Sequence, residues 1–216
     1  MTGEMFGNML LTFLDGFWVT LELFGITLLC SIPLGFVVAL GRMSKYKVIS
    51  WPLGAYISIM RGTPLLLQLL FFSFGPFYMF GWNWNRFVAV SISFALNYAA
   101  YFAEIFRGGI QSMAVGQYEA SAALGFTRGQ TFFRIILPQV IKRVIPASGN
   151  EVITLVKDTS LVQAVGVVEL FSLANKLMGK QVSPFPLVIA GVFYYVFNLL
   201  VSFVFRFLEK KLDYYK

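Results

Sequence analysis

Two sets of polar side chains recur at helical spacing inside otherwise apolar sequence, and their chemistry is that of binding rather than of bond making. Asn97, Tyr101 and Glu104 stand at i, i+4 and i+7, so a helix places them on one face. Glu151, Thr154 and Asp158 share a face in the same way, with Asn150 and Lys157 flanking them. An amide or carboxylate in hydrocarbon is costly unless it meets a cavity or a partner, so both stripes are candidate linings of a solute path. Catalysis has little to work with. The chain has no histidine, one cysteine (Cys30, in an apolar run) and no Gly-x-Ser-x-Gly sequence. His-based acid–base chemistry, His- or Cys-ligated metals and disulfides are therefore not expected.

The elements that must carry these stripes are membrane helices. Of 216 residues, 58% are hydrophobic and only 12% charged, with a mean hydropathy of +0.74. A soluble domain would expose much of that surface to water. At roughly 20–25 residues per span, the length holds one all-α membrane domain, residues 1–216, without a sizeable soluble unit. Apolar runs predict five spans, at about 17–40, 53–80, 87–106, 144–171 and 185–207, and a cytoplasmic loop at about 112–143. The first is longer than a signal-peptide core and lacks a basic leader, so it is expected to be retained. The second is interrupted at Arg61-Gly62-Thr63-Pro64, because proline frees a backbone carbonyl and glycine loosens the turn. Arg61, Gly62 and Pro64 are thus either a gate or hinge or a static kink. Trp82 and Trp84 at its end fit an interfacial aromatic belt.

Basic residues set the orientation. With the N-terminus outside, the cytoplasmic side holds Arg42, Lys45, Lys47, Arg107, Arg128, Arg134, Lys142, Arg143, Arg206, Lys210, Lys211 and Lys216, whereas the outside holds only Arg86, Lys176 and Lys180. The C-terminus is then cytoplasmic. This asymmetry accounts for the net charge of +7, and no nucleic-acid-binding motif accompanies it, so no nucleic-acid partner is expected. At ~1.5 Å per residue, Asn97 and Asp158 fall near the middle of antiparallel spans and Glu104 and Glu151 about 10 Å toward the cytoplasm. Arg61 reaches a similar depth.

Gln117 to Gln139 is the long segment of the second half that is too polar to cross a membrane. A small-residue helix ending at Gly125 is expected, followed by a second short helix from Arg128 to Ile136, before Pro138. It is either an amphipathic helix resting on lipid headgroups or a docking element for another protein.

The run Glu119-Ala120-Ser121-Ala122, then Gly125 and Ile136-Leu137-Pro138, resembles the EAA loop of permease subunits of binding-protein-dependent ABC importers. Arg61-Gly62-Thr63-Pro64-Leu65-Leu66-Leu67-Gln68, Ala103-Glu104-Ile105-Phe106-Arg107-Gly108-Gly109-Ile110 and Lys157-Asp158-Thr159-Ser160-Leu161 are similar to its polar amino-acid branch. The resemblance covers nearly the whole chain from about residue 17. It implies a five-span permease of the bacterial inner membrane, paired with a second, identical or different permease chain. It also implies two ATPase subunits docked on the cytoplasmic loops and an external solute-binding protein that delivers an amino acid. Glu119, Ala120 and Gly125 are carried over as coupling residues. ATP and Mg would be bound by the ATPases, since this chain lacks a Gly-x-x-x-x-Gly-Lys-Ser/Thr loop and so needs no cofactor of its own.

The stripes then line a mid-membrane site formed by Asn97, Tyr98, Tyr101, Glu104, Glu151, Thr154 and Asp158. Its small negative excess, with Arg61 and Lys157 counted in, suits a ligand bearing an ammonium or guanidinium group, held near Glu104 and Glu151. Alternatively these groups pair with one another, Arg61 with a glutamate and Lys157 with Asp158. Glu22 and Glu169 are expected to be solvated at external span ends. An ion-gradient-driven secondary transporter or channel also fits the stripes but leaves the cytoplasmic insert without a role.

Overall fold

A computed structural model describes residues 3–212, so Lys216 of the cytoplasmic charge set lies outside the described residues. The chain is a stack of α-helices: α1 (Gly3–Arg42), α2 (Lys47–Gly62), α3 (Leu65–Phe80), α4 (Arg86–Gln111), α5 (Val115–Ala123), α6 (Arg128–Thr131), α7 (Leu137–Asp158), α8 (Leu170–Gln181) and α9 (Phe185–Leu212). Among the described residues three helices are long and apolar enough to cross a membrane, and up to five spans result if each of two bent pairs counts as one.

The second apolar run is one of those pairs. Instead of a single rod over 53–80, α2 and α3 meet at 108°. Each has 16 residues, about 24 Å at the usual rise, which is short of a ~30 Å hydrocarbon core. Thr63 and Pro64 between them are extended, as the residue before a proline must be. A second proline leaves a second loose end. Pro76 inside α3 cannot serve the Phe72 carbonyl, and the Trp84 indole Nε1 donates to it instead at 3.0 Å. Trp84 is therefore a structural donor, whereas Trp82 is 69% exposed, as a belt residue should be.

Over the fourth predicted span, 144–171, the helix is bent and extends beyond both bounds, as Arg128–Val165 and Leu170–Gln181. Helix begins earlier, because α6 does not stop before Pro138: it passes through a π-helical turn, Phe132–Ile136, in which the Leu137 amide reaches back to the Phe132 carbonyl. The wider turn accommodates the proline and lets the helix continue into α7. At its far end α7 tightens into a 3-10 stretch, Thr159–Val165, and Gly166 in the left-handed region (φ 81°) ends it. Then α8 leaves at 58°.

The insert forms α5, which starts at Val115. Gly125 is indeed its stop: at φ +81° it supports paired bonds of Phe126 N–H to Ser121 O and Gly125 N–H to Ala122 O, both 3.0 Å. This is a Schellman cap.

The core centres on α4, whose Val90, Phe94, Tyr98 and Phe102 pack with Leu23 of α1, Leu69 of α3 and Leu155 of α7. Helix α1 comes close because Gly35 faces α4: an added Cβ would stand 2.8 Å from Phe102 Cβ and 2.9 Å from the Ala99 carbonyl. Small residues at such a crossing let backbones approach without a hydrophobic driving force.

Candidate functional site

Packing of α4 against α7, with the end of α2 beside them, brings the two polar stripes and Arg61 into one cluster. Tyr98 is buried at 2% exposure, and its hydroxyl donates to Asp158 Oδ2 at 2.7 Å. The Tyr101 ring lies 6.3 Å from that of Tyr98 and carries the Arg61 guanidinium over its face at 5.3 Å. Arg61 Nη1 also stands 3.7 Å from Glu104 Oε2. Glu104 has a closer cation, since Arg107 grips it with both prongs, Nε to Oε1 at 2.9 Å and Nη2 to Oε2 at 2.6 Å. A bidentate guanidinium is the strongest partner a carboxylate can find.

This changes the charge distribution read from the stripes. Glu104 is paired with cations on two sides. Asp158 is taken by Tyr98, and no Lys157–Asp158 ion pair forms. Glu151 is different: half-buried, it has no hydrogen bond or ion pair among the described residues. Thr154 is exposed one turn away, its hydroxyl donating to the Asn150 carbonyl at 3.0 Å. Of the three acids in the cluster, Glu151 is thus the one without a hydrogen-bond or ion-pair partner among the described residues.

Asn97 is buried and its amide is satisfied within the protein. At 4% exposure its Nδ2 donates to the Met60 carbonyl (3.0 Å) and to Gln68 Oε1 (2.9 Å). Gln68 Nε2 in turn donates to Met60 O at 2.9 Å and to Thr63 Oγ1 at 2.8 Å. The Asn97 amide thus serves the break between α2 and α3. Gly62 and Pro64, both exposed, sit in that break.

Three roles escaped the spacing argument. Gln68 lies 29 residues from Asn97, so no local pattern joins them. Arg107 was counted as a cytoplasmic charge, although its i, i+3 spacing from Glu104 was a readable signal for a pair. Glu169 is not solvated: it is 1% exposed and caps α8, accepting from Phe171 N (2.7 Å), Ser172 N (2.8 Å), Ser172 Oγ (3.0 Å) and Tyr194 Oη (2.8 Å). Four donors meet the lone pairs that burial would otherwise strand. Glu22 is exposed, as expected.

At the other end of α4, α5 presents Glu119, Ala120 and Gly125 on an exposed surface, with Ser121 turned inward and its hydroxyl bonded to the Gln117 carbonyl. The connection from α4 is fixed by α7. Arg143 Nη1 donates to the Ser112 carbonyl at 2.7 Å and to its hydroxyl at 3.0 Å, while Ile110 and Met113 pack with Ile136, Val140 and Val144. A cation on the last carbonyls of a helix also favours the helix dipole. Among the described residues no group of three or more His, Cys, Asp or Glu could hold a metal ion.

Comparison with known proteins adds to this geometry. Residues 31–214 match the family model described as binding-protein-dependent transport system inner membrane component. The chain is 36% identical to the arginine transport system permease protein ArtQ of Bacillus subtilis (strain 168), over 92% of this chain and 91% of that protein. It is 37% identical to the L-cystine transport system permease protein TcyB of the same organism, over 93% and 86%. A solved structure titled as an amino acid ABC transporter with histidines superposes with a TM-score of 0.89 at 33% identity, covering 98% of this chain and 99% of that one. The inward-facing MetNI methionine transporter shares the fold, with a TM-score of 0.79 at 18% identity.

Proposed function

Because the chain belongs to the family of binding-protein-dependent transport system inner membrane components, in which it is an amino-acid importer permease, we propose that Glu151 is the carboxylate that receives the cationic group of an amino acid on its way through the membrane. One observation carries this: Glu151 is the half-buried acid of the cluster left without a hydrogen bond or ion pair, while Glu104 and Asp158 are committed to Arg107 and Tyr98. Tyr101 and Thr154 line the approach. Arg61 suits the ligand's carboxylate, to which a guanidinium is matched in shape and charge. Asp158 and Tyr98 shape the floor, and a basic or otherwise polar amino acid is the preferred class.

The permease works in a larger machine. A second permease chain completes the path, two ATPase subunits bind ATP and Mg and seat the α5 surface of Glu119, Ala120 and Gly125, and an external solute-binding protein loads the outer face. The exposed helix, its Schellman stop and the Arg143 clamp support that docking role. The distribution of Lys and Arg and the two bent pairs support five spans with an outside N-terminus and a cytoplasmic C-terminus, and the family supports a bacterial inner membrane as their place. A pivot of α2 against α3 at Gly62 and Pro64 would have to part the Gln68 and Asn97 bonds to the Met60 carbonyl; with those bonds kept, the break is a static kink.

Uptake of labelled arginine and glutamine by the reconstituted complex tests the site. Glu151→Gln should depress arginine uptake far more than glutamine uptake. Equal rates of both, unchanged from the parent, would remove Glu151 from the path.

A further inference from the structure

The Met60 carbonyl is the hub of a buried amide cluster that the substrate site does not use. In a continuous helix the amide of residue 64 would donate to it, but α2 ends at Gly62 and Pro64 has no N–H. An unserved carbonyl inside a membrane protein is costly, and two side-chain amides from two other helices meet this one: Gln68 Nε2 of α3 at 2.9 Å and Asn97 Nδ2 of α4 at 3.0 Å. They are linked to each other at 2.9 Å, and Gln68 also reaches Thr63 O at 3.2 Å and Thr63 Oγ1 at 2.8 Å.

Met60 and Arg61 share one rigid peptide plane, so pinning the Met60 oxygen fixes the plane from which Arg61 departs. The α4 face that supplies Asn97 also supplies Tyr101 and Glu104 one and two turns further on, and these receive the Arg61 guanidinium. The amide cluster thus holds the peptide plane next to Arg61 in the last turn of α2. With the plane held, Arg61 rests on Tyr101 and Glu104, and Glu151 stays unpaired. With the plane released, the guanidinium is free to leave Tyr101 and Glu104 for Glu151, the half-buried carboxylate of α7 that has no hydrogen bond or ion pair among the described residues.

Resting on the reading of Glu151 above, we propose that Gln68 is a positioning residue that sets the charge preference of the permease by holding Arg61 on Tyr101 and Glu104, away from Glu151. Its amide touches no substrate. It acts through the Met60 peptide and Arg61.

A double-mutant cycle on the solubilised permease–ATPase complex tests this, without the binding protein, whose own selectivity would mask the permease's. Equilibrium binding of labelled arginine and of labelled glutamine gives a preference ratio. Arg61→Gln should raise the arginine preference by removing a competing cation. Gln68→Met, which keeps length and loses the donors, should lower it by roughly fivefold in the Arg61 background and leave it unchanged once Arg61 is Gln, the non-additivity expected of coupled residues. An equal drop in both backgrounds would overturn the proposal, because a purely structural defect does not depend on Arg61. If Gln68→Met does not assemble, Asn97→Ser removes the other donor and enters the same cycle. Failure of both variants to assemble would also overturn it, assigning the pair to folding alone. If instead Arg61→Gln and Glu151→Gln both leave the ratio untouched, the reading of the site itself has failed.

Discussion

The Tyr98 hydroxyl donates to Asp158 Oδ2 at 2.7 Å, tying the middle of α4 to the last turn of α7. Two helices that read as separate polar stripes are thereby joined at one depth.

Tyr98→Phe removes only the donor and leaves a carboxylate facing a ring. Hydrogen bonds to charged groups contribute ~1.5–3 kcal/mol, so the variant should melt at a clearly lower temperature in detergent. Asp158→Asn keeps an acceptor and should lose less. Thermal unfolding of the purified complex followed by tryptophan fluorescence checks the order. Asp158→Asn melting below Tyr98→Phe would contradict it.

Glu169 and Glu22 provide a matched pair of acids. Glu169→Ala strands two backbone donors of α8 and the Tyr194 hydroxyl in a buried place, a loss of about 2 kcal/mol or more. Glu22→Ala, on an exposed position, should change the melting temperature little.

Gly35→Val should block the α1–α4 contact, since a Cβ there meets Phe102 Cβ, the Ala99 carbonyl and the Ala103 amide within 3.2 Å. Overpacking of this kind destabilises by roughly 1–3 kcal/mol or more where backbone is the obstacle. Gly7→Val is the control, with nothing within 4 Å of its added Cβ. Yield of folded, monodisperse protein after solubilisation separates the two.

How much of this was legible in sequence depends on the distance over which each decision is made. The helical character and the Gly125 stop are set within a few residues, and both are legible in the sequence. The break at Pro64 was legible as well, but its consequence was not: a proline announces a freed carbonyl, not the direction in which the chain then turns, and the 108° between α2 and α3 is fixed by Gln68 and by Asn97 from a different helix. Pro138 misled in the opposite sense, because a single π turn absorbs it. Glu169 was misplaced since burial of an acid depends on donors gathered from α8 and α9, which no hydropathy window sees. Its position three residues before Ser172, at the start of a helical run, was the available hint of a cap.

Coupling should depend on the Arg143 clamp. Arg143→Ala frees the Ser112 carbonyl and hydroxyl and loosens the link from α4 into α5. Transport should then fall several-fold while the complex still assembles, and ATP hydrolysis should lose its stimulation by loaded binding protein. Gly125→Val forces a β-branched residue to φ +81° and should show the same uncoupling with an added loss of about 1–2 kcal/mol in stability. Stimulated hydrolysis equal to the parent in Arg143→Ala would remove the clamp from the coupling path.

The most direct measurement is solute accumulation in sealed proteoliposomes, with labelled arginine outside and the permease present with or without its ATPase and binding-protein partners. Accumulation against the gradient should require all partners and ATP, and should fall steeply in Glu151→Gln. Uphill accumulation by permease chains alone, driven by an ion gradient and indifferent to nucleotide, would contradict the account.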